Sequence, residues 1–237
     1  TQLELDLDFM QETFLLVWQG AGVTLSLTAL SLLLAAPVAF YFAVLRVRGA
    51  RLGGRLVRGY VSFVRGTPLI LQILLLYSLL PSIVNEIVRD LGLDINVFEA
   101  VDPFYYAVFI FTINTIALLT EAFRAALLAI PKGQLEAGLA GGLTAFQTYL
   151  HVILPQALVV ALPSIANITV NLIKGTSLAF LMTVKDIMAV GKIAASYGYN
   201  YIEAYLEVFI VYLVLCTIVQ LLFAAAEQRV GAFRGQN

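Results

Sequence analysis

The dominant pattern in the sequence is a series of long apolar segments, interrupted by shorter segments that carry most of the charged residues. An apolar segment of about 20 residues matches the hydrocarbon thickness of a bilayer, so segments of this length predict membrane-spanning helices. The apolar residues run continuously instead of alternating with a period of two, which favours helices over a transmembrane barrel. We therefore predict an all-α integral membrane protein in which residues 1–237 form a single transmembrane domain. The five predicted spans cover approximately residues 14–45, 59–80, 104–130, 156–173 and 205–226.

Composition supports the membrane class and argues against several functions. Hydrophobic residues make up 61% of the chain and charged residues 12%, whereas soluble domains carry about 25% charged residues. The single cysteine, Cys216, excludes an internal disulfide framework, and the single histidine, His151, argues against haem or a multi-histidine metal centre. A membrane-anchor subunit of a redox enzyme is disfavoured for the same reason, because it would need paired histidines or cysteines for its cofactors.

The arginines indicate how the chain is oriented in the membrane. Five of them fall within residues 46–58, directly after the first span, and the positive-inside rule places this loop in the cytoplasm. The N-terminus is then outside, and the C-terminus, with Arg229 and Arg234, is inside. Residues 174–203 fit a half-embedded segment followed by an outer interfacial helix. A sixth span at residues 178–195 is the alternative, but it would place Arg229 and Arg234 outside.

The second predicted span is interrupted at Thr67-Pro68. Proline has no backbone N–H and its ring clashes with the preceding turn, so this dipeptide predicts a kink or a restarted helix. Broken helices line the substrate pathway of many transporters, which makes Thr67 a candidate pathway residue. A simple kink where the helix enters the membrane is the alternative.

Residues 131–155, between the third and fourth spans, are too polar to cross a membrane and too long for a simple turn. Gln134, Leu135 and Ala137 are good helix formers, and Gly138 and Gly142 permit close approach and a bend. The span count places this segment in the cytoplasm. We therefore predict a short helix that docks on another protein; a cytoplasmic loop with helical content and no partner is the alternative.

The same segment resembles the EAA loop of permease subunits in ATP-binding-cassette (ABC) importers. That loop reads Glu-Ala-Ala, three residues, Gly, nine residues and Ile-x-Leu-Pro. The spacing from Glu136 to Pro155 matches it throughout, with Gly138 in place of the last alanine and Val152 in place of isoleucine. Two further motifs are similar to those of the polar amino acid uptake branch: Arg65-Gly66-Thr67-Pro68-Leu69 and Lys174-Gly175-Thr176-Ser177-Leu178, the latter with Gly175 where aspartate is usual.

The resemblance implies the type I ABC importer permease fold, with five transmembrane helices and a cytoplasmic coupling helix, in the bacterial plasma (inner) membrane. It also implies two ABC ATPase subunits that hold ATP and Mg, a second permease copy or a paralogue, and an extracytoplasmic amino-acid-binding protein. This chain would then be no enzyme, and it would bind no cofactor, metal or nucleic acid. It contains no G-x-x-x-x-G-K-[ST] phosphate-binding motif. The implied coupling residues are Glu136, Ala137, Gly138, Gly142, Leu154 and Pro155.

Polar side chains within the predicted spans are candidates for the substrate pathway, because such groups usually face protein or water. Glu121 would pair with the ammonium group of a substrate or, alternatively, with Arg124 one turn further on. Asn167 and Asn171 share a helix face with Lys174, which would meet a substrate carboxylate. For the asparagines, interhelical hydrogen bonds are the alternative, and for Lys174 the alternative is snorkelling to the membrane interface together with a helix cap. The candidate pathway residues are Glu121, Asn114, Asn167, Asn171, Lys174, Thr176, Ser177 and Thr67.

These features predict the transmembrane subunit of an ATP-driven importer that moves a polar amino acid by alternating access. The Lys174–Phe180 motif, with Glu203-Ala204-Tyr205 downstream, is most similar to cystine-type members of the branch. The alternative is a stand-alone ion-coupled amino acid transporter. That class needs a coupling-ion site and usually inverted repeats, and neither is visible in the sequence.

Overall fold

A computed structural model describes residues 5–93 and 95–232, and every secondary-structure element within these ranges is helical. Two short irregular helices occur among the α-helices: a π-helical segment at Tyr149–Ile153 and a 3₁₀ segment at Thr176–Met182. The α-helices are α1 (Leu7–Val47), α2 (Arg51–Gly66), α3 (Leu69–Asp90), α4 (Val97–Ala100), α5 (Pro103–Ala129), α6 (Gly133–Ala140), α7 (Ala145–Thr148), α8 (Leu154–Gly175), α9 (Ile187–Gly198) and α10 (Tyr201–Ala232).

Five helical segments are long and apolar enough to cross a membrane, which confirms the predicted number of spans. They are Leu7–Val47, Leu69–Asp90, Pro103–Ala129, Ala145–Met182 and Tyr201–Val230. The first, fourth and fifth are longer than predicted, and the third agrees with residues 104–130 to within a residue at each end. Residues 183–200 lie outside all five segments, so residues 178–195 do not form a sixth.

The predicted second span, residues 59–80, is wrong in its bounds. Helix α2 ends at Gly66 and α3 begins at Leu69, so the interruption at Thr67-Pro68 is a restarted helix. The carbonyl of Pro68 accepts the first hydrogen bonds of α3, from the backbone N–H groups of Leu71 (3.1 Å) and Gln72 (3.2 Å). Because Pro68 cannot extend α2, the apolar sequence on its two sides belongs to two separate helices.

One compact unit comprises Thr1–Leu32, Thr67–Ile113 and Asn171–Ile218. Its core includes the fully buried side chains of Leu27, Ile73, Phe111 and Met182. Two glycines let helices approach closely here. A Cβ atom at Gly20 would lie 2.8 Å from the backbone of Ile187, and one at Gly191 would lie 2.5 Å from a methyl group of Val208. Both positions therefore require glycine, which joins α9 tightly to α1 and α10.

The second unit comprises Leu33–Gly66, Asn114–Val170 and Val219–Asn237. Ala35, Ala39 and Ala43 are fully buried at successive turns of α1, and such small residues let membrane helices pack closely. The rings of Phe40 and Phe123 pack edge to face, with centroids 5.8 Å apart. This unit contains α6 and all six residues predicted to couple the chain to a partner.

Candidate functional site

The predicted docking helix is present as α6, Gly133–Ala140, and it displays the side chains of Glu136, Ala137 and Leu139 on an exposed surface. The helix ends in a Schellman motif: the N–H of Leu143 donates to the carbonyl of Gly138 and the N–H of Gly142 to that of Leu139, both at 3.1 Å. Gly142 has a φ of +88°, a conformation that favours glycine. The end of α6 is therefore fixed by backbone hydrogen bonds.

Gly138 lies against Thr148, the last residue of α7. A Cβ atom added at Gly138 would overlap with the Thr148 side chain, falling 2.6 Å from its Oγ1 and 3.0 Å from its Cβ. Thr148 is fully buried, and its hydroxyl donates to the carbonyl of Thr144 at 3.0 Å. The resembled EAA pattern has alanine at position 138. The close approach of Thr148 explains why this chain has glycine there.

Two features that were missed in the sequence shape the connection from α6 to α8. Thr144 and Gln147 form a capping box at the start of α7, with each side chain accepting from the other residue's backbone N–H at 3.2 and 2.9 Å. The Thr-x-x-Gln spacing is a recognised helix-start signal and was available in the sequence. The π-helical turn at Tyr149–Ile153 ends two residues before Pro155, whose ring clashes with the preceding turn of a regular α-helix.

Helix α6 is hydrogen-bonded to the start of α8. Gln156 donates from Nε2 to the side chain of Gln134 at 3.3 Å and to the carbonyl of Val152 at 2.9 Å. The guanidinium of Arg48 lies over the ring of Tyr149, 5.8 Å from its centre. Glu136, Ala137, Gly138 and Gly142 come together in α6 and its cap, whereas Leu154 and Pro155 form the start of α8. Helix α6 is thus linked by a side-chain hydrogen bond to α8, which is part of the candidate span Ala145–Met182.

Among the predicted pathway residues of this unit, Glu121 lies between two arginines. Its Oε2 is 2.8 Å from Nη2 of Arg124 and its Oε1 pairs with Nη1 of Arg46. The side chains of Arg46, Glu121 and Arg124 are 14%, 20% and 31% exposed. The alternative considered for Glu121, an ion pair with Arg124, is thus present. Arg46 was missed because it is 75 residues away in the chain, with no local signal to connect the two.

Asn167 is exposed in the same unit, whereas Asn114 is half-buried. Asn167 lines a cavity of about 250 Å³ together with Gln220 and Glu227 of α10. Gln220 and Glu227 were not among the predicted site residues. Their spacing of seven places them on one helix face, which was the available signal.

In the first unit, Asn171 and Lys174 are exposed, and Thr67 and Ser177 are half-buried. Thr67 accepts a hydrogen bond at Oγ1 from Nε2 of Gln72 at 2.8 Å. Thr176 is fully buried, and its hydroxyl donates to the carbonyl of Ile173 at 2.7 Å. In this conformation Thr176 therefore reaches no open surface, and its role in the pathway stays a prediction.

A buried polar network next to Thr176 was not predicted. The Tyr212 hydroxyl lies 3.5 Å from that of Thr176 and donates to Oδ2 of Asp186 at 3.0 Å. Asp186, which lies between the fourth and fifth candidate spans, caps α9 by accepting from the N–H of Ala189 at 2.9 Å. Burial raises the pKa of the Asp186 carboxyl, and the hydrogen bonds from Ala189 and Tyr212 oppose that rise. Asp186 thus holds α9 in place.

Comparison with known proteins identifies relatives over nearly the whole chain. Residues 35–232 match the family described as "Binding-protein-dependent transport system inner membrane component". The chain is 36% identical over 219 residues to the probable amino-acid ABC transporter permease protein PatM of Vibrio harveyi, covering 91% of this chain and 93% of that protein. It is 32% identical to the L-cystine transport system permease protein TcyL of Bacillus subtilis, covering 88% and 84%. It is 31% identical to the histidine/lysine/arginine/ornithine permease HisM of Escherichia coli, covering 89% and 87%.

Solved structures share the fold. The chain superimposes with a TM-score of 0.78 on the crystal structure of an amino acid ABC transporter with histidines, at 26% identity over 96% of this chain and 100% of that one. An inward-facing structure of the MetNI methionine ABC transporter gives a TM-score of 0.69 at 21% identity, covering 93% and 97%, and shows the fold alone. The predicted type I ABC importer permease fold is confirmed.

Proposed function

The chain belongs to the family of inner membrane components of binding-protein-dependent transport systems, and from this premise we propose that it is the permease subunit of an ATP-driven importer for a polar amino acid. The observation that carries the proposal is α6, whose exposed face displays Glu136 and Leu139 while Gly138 packs on Thr148. A helix that is exposed on one side and held rigidly on the other is suited to docking and to transmitting motion.

ATP hydrolysis would take place on two partner ATPase subunits, which would bind ATP and Mg, because this sequence has no phosphate-binding loop of the Walker type. Each ATPase would receive one coupling helix. Closure of the ATPases on ATP would move α6 as a rigid body, and the Gln134–Gln156 hydrogen bond would carry that motion to α8. A second permease, either another copy or a paralogue, would complete the pathway, and an extracytoplasmic binding protein would deliver the substrate.

Of the pathway residues predicted in the first unit, Asn171 and Lys174 are exposed. The ammonium group of Lys174 would bind an α-carboxylate, and the amide of Asn171 would donate and accept hydrogen bonds. In the second unit, Asn167 is exposed as well, and its amide would offer a hydrogen-bonding group to the pathway. Relatives named as L-cystine permeases and the similarity of residues 174–180 to cystine-type members support cystine as the first substrate to test. Glu121 is engaged by two arginines, so its contribution to the pathway would require that this triad opens during transport.

Co-purification tests the proposed docking surface. A tagged chain, solubilised from its native membrane, is expected to retain an ATPase with Walker motifs, identified by mass. The variant Glu136→Lys/Leu139→Asp changes two exposed side chains of α6 and should reduce the recovered ATPase at least tenfold without unfolding the chain. The control Glu99→Lys reverses an exposed charge on α4 and should recover ATPase at the wild-type level. Recovery of equal amounts with the α6 variant, or of none with folded wild-type protein, would contradict the proposal.

A further inference from the structure

Helix α2 (Arg51–Gly66) is not one of the five candidate spans, and its first half is the end of the basic segment, residues 46–58, that was predicted to lie in the cytoplasm. One of its faces packs against the protein. Gly54, Val57, Val61 and Val64 are buried there, and the ring of Tyr60 packs edge to face against that of Phe42 in α1, with centroids 6.0 Å apart. The remaining surface of α2 is exposed and falls into two chemically different parts.

The first exposed part is basic. Arg51, Arg55, Arg58 and Arg65 recur at intervals of four, three and seven residues, so they share one side of the helix. All four are exposed. None of their side chains makes an ion pair or hydrogen bond with another residue in the described part of the chain, in contrast to Arg46 and Arg124, which share Glu121. We call these four residues the arginine face.

The second exposed part is apolar. Leu52, Leu56 and Phe63 are 73%, 67% and 66% exposed, and helical geometry places them roughly 120° around the axis from the arginine face. A fully solvated helix would hold these side chains in water at a cost of about 25 cal/mol for each Å² of apolar surface. A helix with one basic side and one apolar side is typical of helices that lie in the membrane interface.

We propose that α2 lies in the cytoplasmic membrane interface and binds anionic phospholipids through the arginine face. The apolar residues Leu52 and Leu56 enter the acyl-chain region, and the guanidinium groups bind phosphate oxygens of the headgroups. Arginine suits this role because its planar donors pair with phosphate in a two-pronged geometry. Four cations on one exposed side, with no carboxylate bound to them in the described residues, are complementary to a lipid surface of negative charge. This inference rests on the membrane location of the chain and on the predicted cytoplasmic placement of residues 46–58, and it does not depend on the substrate or on the ATPase partners.

A local fluorescence reporter tests the proposal. Trp18 is the single tryptophan of the chain, so the background Trp18→Phe/Leu56→Trp places the sole indole on the apolar side of α2, where the proposal has it enter the bilayer. The full-length variant is reconstituted with mixtures of brominated phosphatidylglycerol and brominated phosphatidylcholine, which quench tryptophan on contact. Each arginine near the surface is expected to raise the binding constant for the anionic lipid about fivefold relative to phosphatidylcholine. We therefore expect phosphatidylglycerol to be enriched at least tenfold over phosphatidylcholine next to the reporter at low salt. The preference should fall as salt is raised.

Three comparisons make the test specific. The triple change Arg51→Gln/Arg55→Gln/Arg58→Gln should reduce the enrichment of phosphatidylglycerol over phosphatidylcholine to about twofold or less. The matching triple change to lysine should keep most of the enrichment. In the wild-type chain, Trp18 is itself 39% exposed on α1 and should show no preference. The proposal would be overturned if neither lipid, or both lipids equally, quenched the Leu56→Trp reporter. It would also be overturned if the preference for the anionic lipid survived the glutamine changes or high salt.

Discussion

Replacing Gly138 with alanine is expected to reduce ATP-driven uptake about tenfold, although the change adds a single methyl group. The added Cβ would lie 2.6 Å from Oγ1 and 3.0 Å from Cβ of Thr148, and Thr148 is fully buried, so it has little room to move. Overpacking of this kind costs about 1–3 kcal/mol, and every 1.4 kcal/mol is tenfold in an equilibrium constant. We expect α6 to shift away from α7 and to lose its fit to the ATPase. Uptake of labelled substrate into vesicles measures the effect.

The matched control is Gly133→Ala, in the first turn of the same helix, where an added Cβ meets nothing within 4 Å. Uptake by this variant should equal that of the wild type. The double variant Gly138→Ala/Thr148→Ala removes both overlapping atoms, Oγ1 and Cγ2, and should recover most of the lost uptake. If Gly138→Ala transports as well as Gly133→Ala, the contact with Thr148 does not position the coupling helix.

Replacing Glu121 with glutamine is expected to lower the melting temperature of the detergent-solubilised chain by about 5 °C. The change leaves Arg46 and Arg124 facing each other without the carboxylate that both of them bind. Removing one partner of a fully buried pair costs about 3–5 kcal/mol. Because these side chains are 14–31% exposed, solvent screening lowers the expected cost to about 2 kcal/mol, which corresponds to about 4–8 °C for a chain of this size.

The control for this prediction is Glu136→Gln, which removes the charge of an exposed glutamate and should leave the melting temperature within about 1 °C. The triple variant Arg46→Gln/Glu121→Gln/Arg124→Gln should melt above Glu121→Gln, because it leaves no unpaired charge. An unchanged melting temperature for Glu121→Gln would show that the triad contributes nothing to stability. A raised KM in protein that remains folded would instead support a direct role for Glu121 in the substrate pathway.

The sequence predicted features that depend on neighbouring residues better than features that depend on distant ones. The span around α5 was correct because continuous apolar residues are bounded by Pro103 and Pro131, and the helix of the cytoplasmic segment followed from its helix formers. The second span was misplaced because most of residues 59–66 are apolar or small when read along the sequence. In helix α2, however, Arg58 and Arg65 lie on one exposed side, so this segment is not apolar all round.

The contacts of the candidate site illustrate the same limit. The pair between Glu121 and Arg124 is visible as a spacing of three residues, but Arg46 reaches Glu121 only through the packing of α1 on α5. The sequence showed that Gly138 permits close approach. It did not show that Thr148 is the residue that packs against it. Asp186 and Tyr212 are joined across 26 residues, and only the capping role of Asp186 had a signal in the chain.

The most direct test of the account is the energy source of transport. The complex of this chain with its ATPases is reconstituted in liposomes with ATP and Mg inside and the binding protein outside, and uptake of labelled cystine and other polar amino acids is followed. The account predicts uptake that requires hydrolysable ATP in the lumen and persists when ionophores abolish all ion gradients. Uptake that proceeds without ATP and stops when an ion gradient is collapsed would contradict it.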